Sequence, residues 1–489
     1  RTYVFETQPS LPVLFVTTDP LSMFSPDSGL YMTGDGAQMM DPHKGANYWS
    51  NRELPVYVEL FEPGVKQPGF GIMGDFKISG QYSRAKEKKS FSVTFREQYG
   101  DKRLKYTLFP DHPELTKFKA FSVRNFGNNS GNDYVRDRVG TAISEGLNVD
   151  YQRGRYVIVF YNGTYYGIHD MRERNNEYYY ETKYGLDAND IDLLDANDEA
   201  TAGSSADYVA MMNWLQSNSL NNEANYKKIS DQIDVDNYIN YMQTEMFVNN
   251  RDWPHNNLKK WRVASQKTKW KWFIYDTDFG FGTNYSMNTT NIFSYVTSAS
   301  GTQMAAGFGM GGGGSGNAKE TLLLRRLMEY PPFTRAFVNR FVVLLAVYFT
   351  PERILKMIND LQSQVQSEMA RDQQLWNYNA SSMDQDLATI KNFASSRQQQ
   401  ITSEMETFFS ISNPVPLTIG RSGSGEVYVD GLSIGQASSI TANFYSQVPV
   451  TLTAVGTNGS VFSGWSDGVK DATRSVNPGE VTSITAQFK

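Results

Sequence analysis

The chain contains no cysteine. Disulfide scaffolds, thiolate-bound zinc, iron–sulfur clusters and thiol nucleophiles are therefore excluded. Histidine is scarce as well: His43, His112, His169 and His255 are scattered, with no His-Glu-x-x-His spacing, so a histidine-built metal centre is not expected. No Gly-x-Ser-x-Gly turn sits between a strand and a helix, which argues against a serine hydrolase. Basic excess is also missing. With 46 Lys and Arg against 52 Asp and Glu, the net charge is −6 and the pI about 5.5, so no nucleic-acid partner is expected. No apolar run approaches the roughly 20 residues of a membrane span, the longest being around Phe341 to Phe349. The chain starts at Arg1 without Met, as a processed product would, and a removed signal peptide is expected.

What is present is an aromatic-rich globular composition: 40% hydrophobic, 20% charged and 13% aromatic over 489 residues, enough for about two to three domains. The chemistry concentrates in one stretch, Asn249 to Gly282. Asp252 is followed five positions later by Asn257, the interval at which phosphoryl-transfer enzymes place an Asp that orients the attacking hydroxyl and an Asn that holds a metal. Trp270 to Tyr275 has strand character and delivers Asp276 and Asp278 at its end. Residues two apart on an extended chain project to one face, so both carboxylates are expected to point at one cation. Phe279-Gly280 follows.

An Asp with an Asn five later, a hairpin, and Asp-x-Asp-Phe-Gly at a strand end resemble the catalytic half of a protein kinase. Residues 55 to 411 as a whole resemble the CotH family of atypical secreted and spore-coat kinases, through Asp252, Asn257 and the run Tyr275-Asp276-Thr277-Asp278-Phe279-Gly280-Phe281-Gly282. A general kinase pattern makes Asp278 the metal ligand and the family pattern favours Asp276; both stand as candidates. The resemblance implies an α+β, kinase-like two-lobe fold, with a β-rich N-lobe and a helical C-lobe, followed by a small all-β domain.

The segments fall in that order. Residues 1–60 read as an N-terminal β segment joined to the N-lobe, 61–174 as the N-lobe, 175–411 as the C-lobe and 412–489 as a small β-sandwich-like domain. Asp19 to Tyr31, the turn Gly45 to Trp49 and the strand Pro55 to Phe61 resemble the beginning of secreted CotH-like proteins. Lys89 to Phe95 alternates, with apolar side chains at odd positions, so the Lys89 stem is expected on the buried face. A kinase needs such a lysine for the nucleotide phosphates. Lys89 is the first choice and Lys88 the neighbour a register shift would promote, while either reads equally well as a surface lysine of the basic run Arg84 to Lys89. Asn132 to Gly146 reads as a helix with Val135, Val139, Ala142 and Ile143 on one stripe. Its nearest acid for Lys89 is Asp137. Arg155 to Tyr161 and Tyr165 to Met171, joined by Asn162-Gly163, predict a hairpin. Glu173 follows where a kinase has its hinge and is either a nucleotide contact or part of an exposed linker.

Residues 190 to 248 read as helical, as do Lys319 to about Thr407, where Thr350-Pro351-Glu352 signals a helix start. Gly307 to Gly316 contains a Gly-x-Gly-x-x-Gly with no preceding strand, and reads as a flexible loop and not a phosphate cradle. Asn413-Pro414 marks a linker into short alternating strands. The Phe462 to Gly468 motif resembles small β repeats of exported bacterial proteins, which suggests a secreted or cell-surface location. Trp465 there reads as core and not as a sugar platform.

Two functions are expected from these residues. In the first, the chain transfers the ATP γ-phosphate to protein Ser/Thr hydroxyls: Asp252 is the general base, Asn257, Asp276 and Asp278 hold Mg²⁺ or Mn²⁺, Lys89 or Lys88 binds phosphate, and Glu173 contacts the nucleotide. Carboxylates with an amide oxygen suit those hard cations and not zinc. In the second, the kinase-like chain is a catalytically silent surface or matrix protein. Its terminal domain would then contact a cell surface or polysaccharide.

Overall fold

The computed structural model describes residues 9–283, 290–302 and 318–489. The Gly307 to Gly316 stretch lies outside the described residues. The architecture is α+β, and its first half is organised by a closed seven-stranded barrel. In barrel order the strands are Val13–Thr17, Leu54–Phe61, Phe70–Ser79, Ser90–Thr94, Ala120–Arg124, Thr164–Glu173 and Gly154–Tyr161. The last pairs in parallel with the first, Val13 opposite Ile158, and closes the ring. Its interior is aromatic. Phe76 and Phe91 stack with centroids 4.7 Å apart, and Tyr161 packs edge-on against Phe76. The Asn162-Gly163 hairpin forms as the sequence predicts, with both residues at positive φ, 48° and 86°, as a two-residue turn matched to strand twist requires.

The alternation at Lys89 to Phe95 also holds, since Phe91, Val93 and Phe95 are fully buried. Ser90 and Ser92 on the opposite face are buried too, because loops and the helix Met369–Trp376 cover the barrel's outside. The helix predicted over Asn132 to Gly146 is shorter, Arg136–Ala142, and its start is set by Asp133, whose carboxylate accepts the Val135 and Arg136 N–H groups.

A second sheet has five strands in the order Ala200–Ala202, Ile191–Leu194, Lys259–Val263, Lys271–Ile274 and Asp150–Tyr151. Residues 190 to 202, read as helical, are thus partly strand. A four-residue apolar run fits either period, and pairing with Lys259–Val263 together with the Arg262–Asp192 ion pair decides it. The helix Val235–Val248 packs on this sheet and is buried along nearly its whole length, Glu245 included. Five more helices run from Lys319 to Phe409. Thr350 caps the one at Pro351–Val365 by accepting the Arg353 N–H at 3.3 Å.

From Pro414 onward, two four-stranded sheets form a sandwich. It sits against the helix Pro331–Val347, where the Asn339 amide donates to Asp430 at 2.8 Å and to the Pro449 carbonyl at 2.9 Å. Trp465 is a core residue, 1% exposed, with its indole N–H on the Asp471 carbonyl. No described helix is long and apolar enough to cross a membrane.

Candidate active site

The strand Lys271–Ile274 ends before the acidic pair, and Asp276 stands at φ 55°. The same-face argument from an extended chain therefore does not apply. A turn brings the carboxylates together, and the group they share is Arg124, at the end of the barrel strand Ala120–Arg124. Its guanidinium donates to Asp276 Oδ1 at 2.6 Å and lies 3.9 Å from Asp278 and 3.2 Å from Asp137. Asp137 also meets Arg172 at 3.1 Å and accepts the Thr277 N–H at 2.7 Å. Gly140 lets its helix approach Thr277, since a Cβ there would lie 2.1 Å from the Thr277 hydroxyl.

The two acids of the pair differ sharply. Asp278 has a side-chain exposure of 2% against 30% for Asp276. The turn Phe126 to Asn129 closes over Asp278: the Asn128 backbone N–H donates to its carboxylate at 3.0 Å and the Asn129 amide to its carbonyl at 2.8 Å. Gly127, at φ 61°, is required there, because a Cβ would sit 2.4 Å from Asp278 Oδ2. Only Oδ1 of Asp276 is taken by a donor among the described residues.

Charge follows geometry. Burial raises the Asp278 carboxyl well above the usual range, and the neighbouring Asp276 raises it further against Arg124. Asp276 is raised by burial, with Asp137 and Asp252 adding to it against Arg124. Burial opposes ionisation at Asp137 too, but Arg172 and Arg124 outweigh it and hold that carboxyl low. Behind them, burial pushes Glu245 up to about 8, and its Oε1 has no hydrogen-bond partner.

Asp252 belongs to the same constellation. Its Oδ2 accepts the side-chain amides of Asn257 at 2.9 Å and Asn256 at 3.0 Å, and His255 Nε2 stands 3.5 Å from its Oδ1. Asn250 joins the pieces: its amide donates to Glu245 at 3.0 Å and lies 3.4 Å from the Asp276 carbonyl, while its Oδ1 accepts the Asp252 N–H at 3.2 Å. The loop and the acidic turn are thus tied through one side chain.

The sequence of the whole assembly matches the family model described as CotH kinase protein, over residues 76–401. The chain belongs to the CotH family. No curated protein matches it significantly.

The other residues singled out in this CotH chain lie elsewhere. The Lys89 stem is buried as its parity predicts, but its ammonium is held by the Arg84 and Lys86 carbonyls, each at 2.9 Å, and lies 3.8 Å from the Tyr48 ring centre. Lys88 is fully buried in an ion pair with Asp372 at 2.9 Å. Neither meets the acidic turn, and Asp137 pairs with Arg124 and Arg172 in place of Lys89. Glu173 is buried at the end of the strand Thr164–Glu173, where Arg153 donates to both of its oxygens at 3.0 and 3.1 Å. It is no exposed linker, and its carboxylate is already occupied.

Arg124 is the residue that the sequence reading passed over. Its signal was available, since Ala120 to Arg124 ends in Asn125-Phe126-Gly127-Asn128-Asn129, the same strand-then-turn pattern that drew attention to Asp276.

No group of three or more His, Asp or Glu side chains suited to a metal occurs among the described residues. The donor chemistry nonetheless fits Mg²⁺ or Mn²⁺. Asp276 Oδ2 and the Asn257 amide oxygen are hard donors. Mg²⁺ is usually held by one or two carboxylates with substrate phosphates completing its shell. A cavity of ≈ 380 Å³ contains none of Asp252, Asn257, Asp276 or Asp278, although it shares Pro254 and His255 of the loop. The geometry of the acids, and not cavity size, identifies the site.

Proposed function

We propose that the chain is a kinase-like phosphotransferase of two-lobe design, moving the γ-phosphate of ATP to a protein Ser or Thr hydroxyl. What carries the reading is Asp252: a carboxylate fixed by two amides on one oxygen, tied through Asn250 to the turn that presents the half-exposed Asp276.

Asp252 orients the acceptor hydroxyl and takes its proton as the new phosphorus–oxygen bond forms and the bond from the γ-phosphorus to the bridging oxygen breaks, with ADP leaving on that oxygen. Asn257 fixes that carboxylate through its NH₂ and leaves its amide oxygen for the divalent cation, which Asp276 would hold with it. The cation, when bound, neutralises charge developing on the phosphate oxygens. Asp278 shapes the turn instead of binding, since the Asn128 N–H and Arg124 already surround it. The terminal sandwich, and its likeness to exported β repeats, support a secreted or surface location.

The test is incubation with γ-labelled ATP and Mg²⁺ or Mn²⁺, comparing the native chain with Asp252→Ala and Asp276→Ala. Label on the chain or on a co-secreted protein, lost in both variants, supports the reading. Label retained by Asp252→Ala overturns it. One observation favours a second reading, in which the chain is a silent secreted interaction protein: Arg124 already neutralises part of Asp276. No label transfer by the native chain with either cation selects that reading.

A further inference from the structure

At the end of the barrel strand Thr164–Glu173, the chain runs into Arg174 and Asn175, which lie beside Lys259 of the second sheet. The Arg174 side chain makes no hydrogen bond or ion pair among the described residues, although the residue is only partly exposed. Both polar ends of the Asn175 side-chain amide are buried without a hydrogen-bond partner. The Lys259 ammonium donates to the Asn175 carbonyl at 2.7 Å and makes no ion pair among the described residues. Two cations are thus held at neighbouring positions around an unused amide. Glu177 is close enough to act on both electrostatically, yet it pairs with neither.

Like charges brought together in partly dewatered surroundings, with an amide that folding leaves unsatisfied, lose free energy that an anionic ligand would return. The donor set is specific. Arg offers a planar fork, Lys a point charge and Asn an N–H₂ group, a combination matched to the several oxygens of a phosphate. Its place is equally telling. Lys259 pairs in register with Phe273, and its ammonium lies 5.8 Å from the ring centre of Tyr275, the residue before Asp276.

We propose that Arg174, Asn175 and Lys259 form the polyphosphate-binding site of this chain and hold the phosphate chain of a nucleoside triphosphate beside Asp276. This deepens the phosphotransferase reading and rests on it. It also supplies the cations that Lys88 and Lys89, held elsewhere, do not.

The experiment measures thermal stabilisation by ATP, by inorganic tripolyphosphate and by adenosine, for the native chain, for Arg174→Gln and for Asn175→Asp. Asn175→Asp is isosteric and places a negative charge among the two cations, so it tests the site without removing packing. Tripolyphosphate and ATP are expected to stabilise the native chain and adenosine much less. Both variants should bind ATP at least about tenfold more weakly, with their circular dichroism unchanged. Equal stabilisation of all three chains by ATP overturns the site while leaving the transferase reading intact. Stabilisation by adenosine with none by tripolyphosphate overturns it as well, because the ligand would then be held by its base. Tripolyphosphate stabilisation of the native chain alone, without label transfer, keeps the anion site and removes the transferase reading.

Discussion

Two buried charge clusters differ in how completely they are closed. Around Lys88, one ammonium meets one carboxylate, Asp372, whose oxygens also accept the Tyr134 hydroxyl at 2.8 Å and the Ile168 N–H at 2.8 Å. Both side chains have zero exposure. Around Arg124, Asp276, Asp278 and Asp137 share one guanidinium, with Arg172 between Asp137 and Asp170, and Asp276 keeps 30% of its side chain exposed. The first cluster is balanced and finished. The second leaves one acid partly exposed with an oxygen that no donor among the described residues takes, which is what a site must retain if a cation is to complete it.

The largest effect should come from opening the finished cluster. Asp372→Ala leaves the Lys88 ammonium buried and unpaired, and a loss of about 3–5 kcal/mol is expected in denaturant unfolding. Asp276→Asn is the opposite experiment. Arg124 keeps Asp278 and Asp137, so stability should change by less than about 1 kcal/mol, while label transfer is lost. If Asp276→Asn destabilised the chain as much as Asp372→Ala, the open cluster would be structural and the distinction between the two would fail.

The same contrast explains what could be read from the sequence. The Asn162-Gly163 hairpin, the Thr350 cap and the buried faces of the Lys319 to Phe409 helices depend on neighbours within a few residues, and each formed where those neighbours put it. Asp252 and Asn257 come into contact for the same reason, since one short loop holds both. Parity gave the burial of Lys89 but not its destination, because that depends on the Arg84 and Lys86 carbonyls folding back over it. Arg124 and Asp276 are 152 positions apart, and no periodicity within either strand announces that a barrel end will face a turn of another sheet. Asp276 and Asp278 looked equivalent along the chain. The Phe126 to Asn129 turn makes their surroundings different by covering one of them.

A third prediction concerns the acid behind the open cluster. Glu245 carries a carboxyl raised by burial to about 8 from an ordinary 4.5. An acid raised on folding binds more protons folded than unfolded. Its contribution is full below about pH 4.5 and is lost as pH climbs through about 8. Glu245→Gln removes that titration and keeps an oxygen for Asn250. The native chain should therefore lose about 2 kcal/mol relative to Glu245→Gln between pH 6 and 8. Parallel unfolding curves of the two chains over this range would mean that Glu245 stays ionised and has a cationic partner.

The smallest effect belongs to Lys89, on the finished side of the comparison. Lys89→Met keeps the length and the apolar stem, removes two hydrogen bonds to the carbonyls of Arg84 and Lys86, and removes the charge over Tyr48. Two carbonyls turned toward water at a loop cost less than a stranded ammonium does in a sealed interior, so about 1 kcal/mol of stability is expected to go. Label transfer should be unchanged, because the ammonium never reaches the acidic turn. Transfer abolished in a Lys89→Met chain that unfolds normally would mean that the lysine leaves its carbonyls for the phosphates during turnover. The line between finished and unfinished clusters would then have to be drawn on the working enzyme and not on the resting one.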